Sequence, residues 1–351
     1  MTSIFNHPWF SSLFADTNIQ SLWSAEVQSL HYRKFEIALV QALEKHGFAA
    51  DGMGQKAAAQ IMCAQLDDAQ LARATATDGL PIPNFVKQMQ KAAPDCADAI
   101  HMGATSQDVM DTALSMTLVA TADLLLERMS GLITQLDELA AEHGSKKLVA
   151  QTRMQAALPI TVADRIATWR TPLQGAHNNL ANMHLKIARL QLGGAVGTRH
   201  AFKVKGHAIA QEMANTLGLN ENGVWHSDRS QISTFAGLLS QITGALGKIG
   251  QDIVLMAQQG VDAIALSGGG GSSAMPHKSN PVLAELLITL ARFNATQLSA
   301  MHHSLVHEQE RSGAAWMLEW MVLPQMAMAT GSATLIAKGL CQKIRQIGDD
   351  G

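Results

Sequence analysis

A chain of 351 residues has room for one large core with an appended smaller unit. Its 26 Lys and Arg against 29 Asp and Glu leave a formal charge of -3, no field with which to hold a nucleic-acid backbone or an acidic membrane face. Charged residues reach only 16% and apolar ones 47%. Against the roughly 25% charged usual in soluble domains, an isolated monomer would have few charges to cover its surface, so an oligomer is expected.

The first residues, Met1 to Pro8, offer neither a basic stretch nor a following apolar one, so a cytoplasmic protein without an export signal is expected. Apolar residues come in short periodic groups that stay below the roughly 20 needed for a membrane span. Cys63, Cys96 and Cys341 are odd in number and far apart, which predicts reduced, buried thiols rather than disulfides or a zinc site.

Aromatic residues are 5% and alternating β-branched runs are nearly absent, so the expected fold class is all-α. Short helices are expected over about 23 to 46 and 54 to 73, broken by Gly47, Gly52, Gly79 and the Pro81-Ile82-Pro83 turn. These outline a small helical N-terminal domain over residues 1–100, with a central long-helix bundle over 101–351. From Leu118, the series Ala122, Leu125, Met129, Leu132, Leu136, Leu139 alternates steps of four and three. With a capping box at Thr105 and Asp108 and a stop at Gly144, it predicts a helix of about 36 residues, on the order of 54 Å. Phe235, Leu239, Ile242, Leu246, Ile249, Ile253 and Met256 repeat that stepping between Ser227-Asp228 and Gly260. The glycines 237, 244, 247 and 250 inside it predict close backbone approaches. Further helices are expected from about Thr161 to Leu190, from an Asn280 cap with Pro281 to about His303, and from about Ser312 to Gln346.

The most informative stretch is Gly268-Gly-Gly-Gly-Ser-Ser-Ala-Met-Pro-His-Lys-Ser-Asn-Pro281. Its four glycines make a mobile loop with two hydroxyls, and Lys278 and Asn280 stand just before a helix N-terminus that favours anions. It is not a phosphate-binding P-loop, since His277 precedes the lysine and no strand precedes the glycines. Two further stretches are His101-Met-Gly-Ala-Thr-Ser-Gln-Asp-Val-Met-Asp-Thr112 and Gln151-Thr-Arg-Met-Gln-Ala-Ala-Leu-Pro-Ile-Thr161. In order and spacing, these three regions resemble the signatures of the fumarase/aspartase superfamily, which includes adenylosuccinate and argininosuccinate lyases. Gln191-Leu-Gly-Gly-Ala-Val-Gly197, Trp225-His-Ser-Asp-Arg229 and His307-Glu-Gln-Glu-Arg-Ser312 are most similar to the superfamily's lactonizing cycloisomerase branch, which acts on a small tricarboxylate.

The resemblance implies a homotetramer whose long helices form one bundle, with active sites shared between subunits and no metal or organic cofactor. It implies Ser272 as the proton-transferring residue on a lid. Thr105, Ser106, Thr152, Gln155, Lys278 and Asn280 then donate to substrate carboxylates, and Arg311 joins them. Many members continue into a small helical C-terminal domain, which this sequence, ending at Gly351, is expected to lack.

Where many lyases of the superfamily place a His directly after the Thr of the second stretch, this chain has Arg153. Expelling an amine needs a general acid, for which a His near pKa 6.5 is suited. Lactonization uses a substrate carboxylate that is already ionised, so no base has to prepare it. Arg153 then either clamps a carboxylate in bidentate fashion or serves a structural ion pair. His101 either touches substrate or bonds a helix terminus. His303 and His307 have a metal-face spacing but lack the second His of H-E-x-x-H, so no metal is expected. Trp316 and Trp320 are expected in the core. The expected activity is a carboxylate-adding cycloisomerase. An adenylosuccinate lyase-like enzyme and a non-catalytic helical scaffold are the alternatives.

Overall fold

In the computed structural model, residues 3–271, 275 and 279–349 are described. The chain runs α1 (Ser11–Phe14), α2 (Thr17–Leu22), α3 (Ala25–Lys45), α4 (Met53–Cys63), α5 (Asp68–Asp78), α6 (Ile82–Ala92) and α7 (Ser106–His143). A hairpin β1 (Lys147–Thr152) and β2 (Gln155–Thr161) follows, then α8 (Val162–Ile187), α9 (Gly206–Leu217) and α10 (Ser230–Met256). The chain closes with β3 (Ile264–Leu266), α11 (Val282–His303), α12 (Ala314–Gln342) and β4 (Ile344–Ile347). The fold is all-α in character, with two small antiparallel sheets among the described residues, β1 with β2 and β3 with β4.

Five long helices, α7, α8, α10, α11 and α12, share one core. The four-three stripe of α7 (Leu118, Leu125, Met129, Leu132, Leu136) and that of α10 (Phe235, Leu239, Ile242, Leu246, Ile249, Ile253) are both fully buried in it. Burying each such side chain is worth about 1.5 to 3 kcal/mol, which sustains helices far longer than their propensities would. Gly247 and Gly250 bear out the reading of close approach, because a Cβ at Gly250 would lie 2.5 Å from the Ala284 carbonyl oxygen of α11. Gly237 and Gly244 face open space in the isolated chain. Asn294 ties three rods at one level, its amide donating to Thr330 Oγ1 (2.9 Å), Thr243 Oγ1 (3.3 Å) and the Met326 carbonyl (3.3 Å).

A second core gathers α3, α4 and α6, the first turns of α7 and the segment 188–219 with α9. Among the described residues α7 alone is long and apolar enough to cross a membrane, although no such segment is expected from the sequence. It is a core helix here, and it carries buried Asp108 and Asp111 in its first turns.

Several boundaries differ from expectation. The stretch 54 to 73 is two helices, because Asp67 caps α5 by accepting the Gln70 N–H (2.8 Å) and breaks the run. The last helix stops at Gln342, and the next residues pair as β4 with β3. The hairpin has no alternating β-branched signal, and residues 147 to 161 are held by pairing such as Leu148 with Ile160. Asn280 is not the helix cap, which is Pro281. Cys63 is exposed rather than buried, while burial pushes the Cys341 thiol up to about 12.

The bundle has two poles. At the first, α7, α10 and α12 begin and α11 ends, locked by Arg229 on Asp111 and Glu319. At the other, α7 ends, Lys147 pairs with Asp349, and Ile264 pairs with Ile347. From the 27 residues of α10 to the 38 of α7, the rods set the poles roughly 40 to 57 Å apart.

Candidate active site

At the first pole the motif His101 to Thr112 folds into a turn and the start of α7. Asp108, fully buried, is its hub. Its carboxylate accepts the N–H groups of Thr105 (3.0 Å), Gly193 (2.7 Å) and Gly194 (2.9 Å) and pairs with His226 Nε2 (2.8 Å). Four donors on one carboxylate fix the Gly-rich segment 191–197 against the N-terminus of α7. The fit requires glycine at 194, where φ is +71° and a Cβ would meet the Gly103 carbonyl oxygen at 2.7 Å. His226 Nδ1 is buried without a hydrogen-bond partner among the described residues.

His101 lies beside this hub, its side chain 20% exposed and its backbone left-handed with φ +64°. Glu36 of α3, wholly buried, accepts the His101 N–H (2.8 Å) and meets its Nδ1 at 2.7 Å. Burial alone would lower the imidazole's pKa, but the bond to Glu36 and the charges of Glu36 and Asp108 outweigh it and raise it. Thr105 caps α7 and Ser106 is its first residue, so both stand where the helix presents unpaired N–H groups and favours anions. Arg311 arrives from the α11–α12 connection, its Nε donating to Gln107 Oε1 (3.0 Å) and an Nη to the Ala195 carbonyl (3.2 Å). Two of its three nitrogens are thus anchored, and Nη1 makes no hydrogen bond among the described residues. His101, Thr105, Ser106 and Arg311 therefore come together.

Beneath them lies a charged layer that sequence reasoning missed. Arg229, 1% exposed, makes four hydrogen bonds of 2.6 to 3.0 Å to Asp111 and Glu319. Burial opposes the guanidinium charge, but the two carboxylates prevail and its pKa is raised. Burial in turn raises Glu319, against the pull of Arg229, and lowers His307. Trp316, in the core as expected, donates its indole N–H to Asp111 (3.2 Å) and sits edge-on at 4.7 Å to Trp320, which is half-buried rather than in the core. A cavity of about 260 Å³ between Trp23, Tyr32, Trp316 and Trp320 holds none of the expected site residues.

The second pole carries the rest. Thr152 and Gln155 close the β1–β2 hairpin around Arg153 and Met154, both left-handed at φ +51° and +64°. All four are exposed, and Arg153 forms no ion pair among the described residues. Asn280 and Gly270 exchange two backbone hydrogen bonds of 3.0 Å, clasping the base of the Gly-rich loop. Ser272 and Lys278 fall within that loop and lie outside the described residues. The length of α7, about 57 Å for 38 residues, separates the hairpin from His101. One chain therefore does not bring Thr152, Arg153, Gln155 and Asn280 to His101 and Arg311.

Glu36, Gln107, Asp108 and His226 were not among the residues expected at the site. Asp108 and His226 stand inside motifs visible in the sequence, whereas nothing in the sequence marks Glu36. Among the described residues no cluster of metal-ligating side chains occurs.

Residues 14–294 match the model of a lyase family. A 3-carboxy-cis,cis-muconate cycloisomerase of Bradyrhizobium diazoefficiens is 35% identical over 318 residues, 87% of this chain and 70% of the relative. Its namesake in Acinetobacter baylyi is 30% identical over 335 residues, 92% of this chain and 74% of the relative. The crystal structure of 3-carboxy-cis,cis-muconate lactonizing enzyme from Pseudomonas putida superposes with a TM-score of 0.90 at 29% identity, covering 97% of this chain and 77% of that one. With a family match over most of its length and a long-helix bundle shared with that structure, the chain belongs to this lyase family of the fumarase/aspartase superfamily.

Proposed function

We propose that the protein is a 3-carboxy-cis,cis-muconate cycloisomerase, a cytoplasmic enzyme of protocatechuate breakdown. The observation that carries this choice is Arg153. It stands at the exposed tip of the hairpin, where an amine-eliminating lyase would need a proton donor, and an arginine there is always charged. A guanidinium cannot protonate a leaving group, but it binds a carboxylate through two parallel hydrogen bonds.

The reaction follows from charge. One substrate carboxylate attacks the conjugated double bond and a C–O bond forms. The π electrons move to the carbon beside another carboxylate, giving an enolate-like intermediate. The Ser272 hydroxyl delivers the proton to that carbon, and a water-excluding loop together with Lys278 tempers the resulting alkoxide. Donors preorganised around the growing charge supply several kcal/mol of stabilisation. At the first pole these are the amides of 195–197, which Asp108 does not occupy, with Thr105, Ser106, His101 and Arg311.

In this reading the separation of the poles is met by assembly. Thr152, Arg153, Gln155 and the Gly-rich loop of neighbouring copies reach the first pole in a homotetramer. The bare faces at Gly237 and Gly244 and the exposed Met154, Leu158 and Leu185 support burial by other copies.

Ultraviolet absorbance of the protein with 3-carboxy-cis,cis-muconate, compared with adenylosuccinate, tests the proposal. Loss of the diene absorbance with the first alone is expected, together with its disappearance in Ser272→Ala at unchanged oligomer mass. Turnover of adenylosuccinate would transfer the assignment to an eliminating lyase.

A further inference from the structure

We propose that Glu36, on the third helix, is the positioning residue that holds His101 as a cation, its Nε2–H turned toward the substrate carboxylate. Three observations point there. Glu36 is fully buried, and among the described residues its carboxylate meets only the two nitrogens of His101, at 2.8 and 2.7 Å. A buried carboxylate is retained where a positive partner compensates it, and among the described residues no lysine or arginine forms an ion pair with this one. His101 sits in the left-handed region at φ +64°, a conformation uncommon outside glycine, and the bond from its N–H to Glu36 fixes it there. Finally, the Nδ1 bond consumes one ring nitrogen and sets the ring plane, leaving Nε2 as the ring's remaining donor on a side chain that is one-fifth exposed.

Among the described residues the charges acting on the ring are those of Glu36 on α3 and Asp108 on α7. Asp108 already carries His226 and three backbone N–H groups, and Arg311 is held on Gln107. Glu36 is therefore the one carboxylate with capacity left for the imidazolium proton. A helix of the N-terminal region thereby sets the charge of the site, although Glu36 touches no reacting atom. The substrate side of the inference rests on the cycloisomerase reading; the Glu36–His101 pair does not.

Histidine titration by NMR on the unliganded full-length chain separates the two. The His101 midpoint is expected above the ordinary histidine value of about 6.5, with Nδ1–H hydrogen-bonded, and it should fall in Glu36→Gln, which keeps the shape but removes the charge and leaves one acceptor oxygen for the two His101 donors. Glu36→Asp should restore part of the shift. With 3-carboxy-cis,cis-muconate, Glu36→Gln should raise KM on the order of tenfold with a much smaller change in kcat, since a charge-assisted bond to a bound carboxylate is weakened. A wild-type midpoint at or below the ordinary value, or one unmoved in a folded Glu36→Gln, would overturn the inference, and the wild-type measurement decides even if the variant does not fold. A chain with the expected midpoint but no turnover of the tricarboxylate would overturn the substrate reading and leave the pair standing.

Discussion

His31 shows how a single buried side chain writes pH into stability. It is 8% exposed, on α3, with Nδ1 3.4 Å from the Thr117 hydroxyl of α7. Burial, helped by the charge of Lys34, lowers its pKa to about 4. In the unfolded chain it titrates near 6.5, so between those values the unfolded state binds the extra proton and stability falls as pH falls. Above about 6.5 its contribution is fully present. Solvent reaches part of the ring, so the loss is on the order of 1 to 2 kcal/mol rather than the full linkage value. Urea unfolding at about pH 7 and about pH 4.5 should therefore show a wild-type loss larger by this amount than that of His31→Asn. Equal losses would mean that His31 takes up its proton as readily in the folded chain as in the unfolded one. No motif announces His31, and the same holds for Glu36, Glu319 and Arg229 as a set. Arg229 was visible only as the end of Trp225-His-Ser-Asp-Arg. That it sits between Asp111 and Glu319, 118 and 90 residues away, is a fact of the packed bundle.

The long helices were legible because their burial demands a period that the sequence displays. The four-three stripes on α7 and α10 place both rods within a few residues of their ends, and the capping carboxylate Asp108 marks the start of α7. The hairpin was not legible. Its residues, Lys147 to Thr161, are held by each other and by Asp349, so their β-structure comes from long-range pairing rather than local preference. Glycines in the rods divide the same way. Sequence alone gave the four in α10 equal weight, yet Gly247 and Gly250 meet α11 while Gly237 and Gly244 meet nothing in one chain. Gly250→Ala should destabilise the bundle by about 1 to 3 kcal/mol, because its methyl would press on the Ala284 carbonyl oxygen at 2.5 Å and on Leu287 Cβ at 2.9 Å. Gly131→Ala, on the exposed side of α7 with nothing within 4 Å, should instead stabilise by roughly 0.5 to 1 kcal/mol. Thermal denaturation of the two variants checks the contrast, and a stable Gly250→Ala would mean that α10 and α11 separate easily.

At the scale of the whole molecule, the division of the motifs between two poles makes a quantitative demand. The first pole holds His101, Thr105, Ser106 and Arg311. The hairpin residues Thr152, Arg153 and Gln155 lie at the far end of a helix of about 57 Å. Under the proposed assembly, each working site draws its first-pole groups from one copy and its hairpin from another. His101→Ala and Arg153→Ala should each be inactive alone, since every site then lacks one group. In hybrids formed by unfolding and refolding an equal mixture, a site needs an intact first pole from one copy and an intact hairpin from another, each present half the time. About a quarter of the sites are then complete, and about a quarter of wild-type turnover should return. His101→Ala mixed with Thr105→Ala affects one pole only and should recover nothing, because no copy pairing restores both groups. Recovery in the first mixture and none in the second requires a site shared between chains. Equal failure of both would place the reacting groups within a single chain, which a rod of this length does not permit without unwinding α7.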